Sequence, residues 1–168
     1  MATAERSAEV EDRTRYETGR LSLNERLRAA IGAELRVCCL TGLRLDGRLQ
    51  RVHPEWLLLE EGGGREALVA CSAIVSVTGL GRLSEVGSDS PVRSRLGLRH
   101  ALRVIARDRS GLRIHLMDAS VLEATLDRVG EDFVEAAAHA AGEARRRSEV
   151  RQVVTVATAA IVAIRRDG

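Results

Sequence analysis

Arg51-Val52-His53-Pro54-Glu55-Trp56 recurs, with no gap inside the match, as Arg128-Val129-Gly130-Glu131-Asp132-Phe133. Each copy reads Arg-Val, two residues suited to a turn, an acid, then a large aromatic. Position 51 maps to 128, an offset of 77. Ala73-Ile74-Val75-Ser76-Val77 maps in the same order to Ala160-Ile161-Val162-Ala163-Ile164, from 73 to 160, an offset of 87. The second copy therefore holds ten more residues between the two blocks. A unit repeated at this length implies two similar halves, so each functional reading applies to a pair.

Outward from these blocks, local patterning gives both halves the same elements. Ser22-Leu23-Asn24-Glu25 is a capping box, in which the Ser and Glu side chains satisfy amides of a helix's first turn. Leu23, Leu27, Ala30 and Ile31 follow at helical spacing, and Gly32 stops the pattern, so a short amphipathic helix is predicted over 22–32. Short strands are predicted over 35–41, 45–52, 56–60, 67–71 and 74–77, with Gly62-Gly63-Gly64 as a loop. Residues 81–91, rich in Gly and Ser, form a linker ending at Pro91. Leu98, Ala101, Leu102, Ile105 and Ala106 share a face of a second amphipathic helix ending near Ser110-Gly111. Strands recur over 112–118, 121–129, 132–138, 152–157 and 160–165. The ten extra residues fall in 138–150, a basic loop between the third and fourth strands of the second copy.

Five short strands joined by tight turns predict a small barrel, because curling a sheet onto itself buries one face and hides its edges. The expected fold is all-β with short helices: two tandem five-stranded barrels, each preceded by an amphipathic helix. Residues 1–20 form a polar tail or helix, 21–80 the first barrel, 81–91 the linker, and 92–166 the second helix and barrel with the 138–150 loop. The two barrels are expected to pack by pairing an edge strand from each.

This pattern resembles the Sm-like fold, the group of Hfq-type RNA chaperones and Sm proteins. The resemblance is carried by Val37 to Leu40, Asp46-Gly47-Arg48-Leu49, Val52 to Leu59 and Leu68 to Leu80. In the second copy it is carried by Ile114 to Asp118, Val121 to Val129, Asp132-Phe133-Val134 and Val154 to Ile164. The chain as a whole is similar to a group of actinobacterial proteins with both barrels. SH3-like and PRC-type small barrels share much of the same patterning. Sm-type RNA sites place an Asn or similar polar residue beside the aromatic, and an Arg-Gly or Lys-His pair between the last two strands. Here those positions hold His53-Pro54-Glu55 and Gly130-Glu131-Asp132, and Cys71-Ser72 and Thr158-Ala159. The base-binding residues of the family are absent from both copies.

Composition narrows function further. Tyr16, Trp56 and Phe133 are the only Tyr, Trp and Phe, which argues against recognition by stacked bases. All 26 basic residues are Arg, as a GC-rich coding sequence alone would produce, and the net charge of +2 calls for a local basic footprint if nucleic acid is bound. Arg95, Arg99, Arg103 and Arg107 recur every four residues on the second helix, and Arg145, Arg146, Arg147 and Arg151 cluster on the basic loop. These eight are the candidate nucleic-acid contacts, since guanidiniums grip phosphate through charge and forked hydrogen bonds. The competing reading is a solvated face paired with nearby acids.

Trp56 and Phe133, at equivalent strand starts, are expected as structural core. Cys38, Cys39 and Cys71 lack Cys-x-x-Cys spacing, and His53, His100, His115 and His139 lack metal-ligand spacing, so no metal or cofactor is expected. No nucleophile with a base and an orienting group stands out, and no enzyme is expected. The longest apolar run, Val153 to Ile164, is too short to span a bilayer, and no secretory leader is visible, so a cytoplasmic protein is expected. The expected function is a non-catalytic interaction module of two Sm-like barrels, serving protein interaction or assembly. The alternative is an Sm-like RNA-binding protein using its Arg patches. Expected partners are another protein or a further copy of the chain, with RNA as the alternative, and neither membrane nor small-molecule substrate.

Overall fold

The computed structural model describes residues 2–83, 97–139 and 152–166. Helix α1 (Ala2–Thr18) is exposed along its described side chains and held by pairs one turn apart, such as Arg13–Glu17 at 3.2 Å. Helix α2 (Leu23–Ala29) begins at the capping box: the Glu25 amide donates to Ser22 Oγ, and the Ser22 amide donates to Glu25 Oε2. The Ser22 amide, then the Ser22 hydroxyl, both donating to the Glu25 carboxylate, hold it below its ordinary pKa, helped by the charge of Arg28.

Strands β1 (Glu34–Cys39), β2 (Arg44–Val52), β3 (Trp56–Glu61), β4 (Arg65–Ala70) and β5 (Ile74–Thr78) follow. Helix α3 (Leu98–Asp108) then leads into β6 (Leu112–Leu116), β7 (Val121–Val129), β8 (Phe133–Ala138), β9 (Val153–Ala157) and β10 (Ile161–Arg166). The strand positions agree closely with those predicted from patterning.

The duplication is present in the backbone. The His53 amide donates to the Trp56 carbonyl, and the Gly130 amide donates to the Phe133 carbonyl, each at 2.8 Å. The Cys71 amide reaches the Glu55 carbonyl, and the Thr158 amide reaches that of Asp132. A bulge separates Leu49 from Arg51, and its counterpart separates Leu126 from Arg128. The repeated hexapeptide thus encodes a turn closing a bulged hairpin.

The strands do not form the expected barrels. All ten lie in one antiparallel sheet, in the order β5-β1-β2-β3-β4-β10-β6-β7-β8-β9, which is open, with β5 and β9 at its edges. The reason lies in β4 and β10. β4 pairs with β10 across the middle of the sheet, with Ala163 opposite Val69 and Ile164 opposite Leu68, so its second row of hydrogen bonds leaves its own half. Each of these strands is buried over four consecutive residues, the pattern of a strand covered on both faces rather than of a barrel wall. Ala67, Val69 and Ala163 enter one core with Leu57 and Leu59, while Leu68 and Ile164 enter the other with Leu102 and Leu126.

The resemblance to the Sm-like family and the fold class of two tandem barrels are corrected accordingly. So is the reading of the chain as an interaction module of two Sm-like barrels, together with its Sm-like RNA-binding alternative, because both rest on closed barrels. Pairing of one strand from each half does occur, as the central joint of a single sheet.

Candidate functional site

Register across the sheet builds a groove. After the bulge at Gln50, Arg51 stands opposite Leu58, Leu58 opposite Leu68, and Leu68 opposite Ile164. These four residues form a row on one face, because paired residues in adjacent strands point the same way. The groove that they floor has a volume of about 610 Å³, within the range of small-molecule sites.

Helix α3 supplies one wall, through Ala101, Val104 and Ile105. Its position is fixed by fully buried Leu102 and by Glu55, whose carboxylate accepts the Leu98 amide at 2.7 Å. The acid of the repeated hexapeptide therefore anchors the N-terminus of α3, where the exposed amides and the helix dipole favour negative charge. At the other end of α3, Arg166 bridges Asp108 at 2.7 Å and Glu66 at 2.5 Å, tying the helix to β4.

Helix α2 and the end of β2 supply the opposite wall. Asn24 Nδ2 donates to the His53 carbonyl at 3.0 Å, which sets the Asn24–Arg28–Ile31 stripe against the His53 turn. The buried His53 ring stacks on Trp56, with centroids 5.6 Å apart and planes at 12°. Ile31 and Val104 are 52% and 45% exposed at the mouth. Arg28 and Arg51 line this end, and among the described residues neither has a carboxylate within ion-pair distance and the buried Arg28 Nε has no hydrogen-bond partner. Glu25, the acid one turn before Arg28, takes its hydrogen bonds from Ser22 and meets the Arg28 charge only from a distance.

Two other recesses are polar. One of about 1020 Å³ lies over Arg36–Asp46 (2.7 Å) and Arg48–Glu34 (3.2 Å), exposed cross-strand pairs whose charges neutralise each other. The other, of about 800 Å³, holds Glu55, Glu131, Arg99 and Arg103 on the far side of α3.

The nucleic-acid candidates divide. Arg99, Arg103 and Arg107 are exposed on α3 with no ion pair among the described residues, and Arg99 and Arg103 face the recess that holds Glu131. Arg95, Arg145, Arg146, Arg147 and Arg151 lie outside the described residues. Trp56 packs against the second core while lining the groove, and Phe133 is 36% exposed.

The three cysteines are free thiols. Burial pushes Cys39 up to about 11, helped by neighbouring Cys38, and pushes Cys71 up to about 11, helped by the charge of Glu55. His115 is pulled below its ordinary value by burial, then by Arg165 and Arg113, against the opposing charge of Glu61. No group of three or more His, Cys, Asp or Glu suited to a metal occurs among the described residues.

Sequence reasoning missed the groove, because its lining comes from residues 28 to 166 and only the register assembles them. One local signal existed: Val104 is an apolar residue outside the packed stripe of α3. Comparison with protein-family models and with curated proteins found no match.

Proposed function

We propose that the chain associates with further copies of itself, edge to edge, through β5 and β9. The observation that carries this reading is the asymmetry between repeat-equivalent strands. β10 is paired on both sides, with β4 and β6, and Val162 is fully buried; its counterpart β5 pairs with β1 alone among the described residues, and Val75 is 63% exposed. β4 is paired and Leu68 is buried; its counterpart in β9, Thr155, is exposed. The central joint unites a β4-type edge with a β10-type edge, and the sheet ends carry one free edge of each type among the described residues. Unpaired edges present rows of amides and carbonyls that a matching strand satisfies.

Shifting the central register by the repeat offset of 87 places Ser76 of one copy opposite Val156 of the next, and Val77 opposite Thr155. Such a head-to-tail contact generates a ring if its rotation closes and a filament if it does not.

Sedimentation of the full chain tests the reading. A species heavier than one chain is expected, growing with concentration. Val75→Lys and Thr155→Lys, at exposed edge positions, each remove one edge. Combined in one chain they give a monomer. The two single variants mixed give a dimer and nothing longer, because one intact edge of each type remains. A wild-type monomer at all concentrations, or assembly indifferent to both substitutions, sinks the reading.

A further inference from the structure

We propose that the groove between α3 and the sheet binds a small monocarboxylate with an apolar body, its carboxylate held by Arg28 and Arg51. The inference is independent of edge association, since the groove residues come from the sheet face and not from β5 or β9.

Charge complementarity selects the occupant. Of the three arginines lining the groove, Arg166 is engaged by Glu66 and Asp108, whereas Arg28 and Arg51 have no carboxylate within ion-pair distance among the described residues. The α2 end therefore carries two guanidiniums with no direct ion pair among the described residues, Arg51 and Arg28, the charge of Glu25 acting on Arg28 only from a distance. A guanidinium next to apolar surface gains most from an anion that displaces little water and offers two acceptor oxygens, which a carboxylate does. Arg28 adds a second indication, because its buried Nε lacks a partner among the described residues, and a buried donor left unpaired is costly.

Beyond the cationic end, Trp56, Leu58, Leu68 and Ile105 present a continuous apolar lining, and exposed Ile31 and Val104 face the mouth. A flexible alkyl or aromatic body lies there without unpaired polar groups. A polyanion is disfavoured: Glu66 and Asp108 stand at the far end and repel a second negative group. A neutral apolar molecule leaves the arginines unanswered.

The test is calorimetric titration of the full chain with decanoate below its micelle concentration, with decanol as the same body without charge. The emission of Trp56, the single tryptophan, places the ligand. Saturable one-to-one binding with a shift in Trp56 emission is expected. Arg28→Gln with Arg51→Gln weakens decanoate about tenfold or more, the usual value of a charged hydrogen bond. Decanol binds the wild type at least about tenfold more weakly than decanoate does, for the same reason. Val104→Glu, which sets a carboxylate at the mouth, weakens decanoate as well, and circular dichroism checks that every variant keeps its fold. Absent binding, binding without change in Trp56 emission, or equal affinity of decanol and decanoate overturns the proposal. So does unchanged affinity in the double arginine variant.

Discussion

Gly47 and Gly130 show how one atom is read differently at two places. A Cβ on Gly47 would stand 2.6 Å from the Glu60 carbonyl oxygen and 3.0 Å from its carbon, both backbone atoms of the paired strand β3. Backbone within a sheet yields only by moving the strand. A Cβ on Gly130 would meet the Phe133 ring instead, and that ring is 36% exposed, with room to swing outward. Gly47→Ala is therefore expected to lower stability by about 1–3 kcal/mol, as overpacking does. Gly130→Ala is expected to cost no more than roughly 0.5 kcal/mol, the usual range for a surface change. Urea denaturation of both variants, compared at equal slope, checks the ordering. A Gly130→Ala loss equal to that of Gly47→Ala would show that the Phe133 ring is locked. Neither constraint is legible in the sequence as such. Asp46-Gly47-Arg48 reads only as part of the strand predicted over 45–52, and the β2–β3 register alone puts Glu60 over the missing side chain.

At the scale of elements, patterning resolved the strands and misjudged their partners. Each strand is local, set by β-branched and apolar runs between turn residues, so its position is legible. Pairing is long-range, and Ala67-Leu68-Val69-Ala70 and Ile161-Val162-Ala163-Ile164 carried the deciding signal. Four apolar residues in succession mean burial on both faces, which a small two-layered barrel does not supply to two strands at once. The same joint contains Glu61, which accepts two hydrogen bonds from Arg165, at 2.6 and 3.0 Å. Glu61 closes β3 and Arg165 lies in β10, so the pair links the halves. Glu61 is buried, and Arg165 is more than two-thirds covered. Glu61→Gln leaves a guanidinium without its counter-charge and is expected to cost about 1.5–3 kcal/mol. Glu61→Leu combined with Arg165→Met restores most of that loss, since apolar pairs of similar volume replace buried ion pairs at little cost. Thermal melting of the single and double variants measures the coupling. Additive losses would mean that the two side chains do not act as a pair.

For the molecule as a whole, the duplication was legible from two short blocks, and its consequence was not. Repeated halves suggest independent units, yet here each half is completed by a strand of the other. β10 places Val162 and Ala163 in the first core, and β4 places Leu68 in the second. Trp56 and Leu58 of β3 pack against the second core as well. Neither core is whole without the opposite half, and the β4–β10 ladder runs between them. The two halves are therefore expected to unfold in one transition, with the calorimetric and van't Hoff enthalpies equal. A fragment ending at residue 83 lacks Val162 and Ala163, exposes Leu68, and leaves β4 as an open edge. On its own it is expected to stay unfolded or to aggregate, because an exposed apolar edge strand templates pairing with other chains. Co-expression with the fragment beginning at residue 84 is expected to rescue it as a folded complex, as complementary strands supply the missing half of each core. Circular dichroism and sedimentation of each fragment, alone and together, decide the matter. Two separate transitions in the intact chain, or a first fragment that folds alone, would mean that the halves are joined by the central ladder without depending on it.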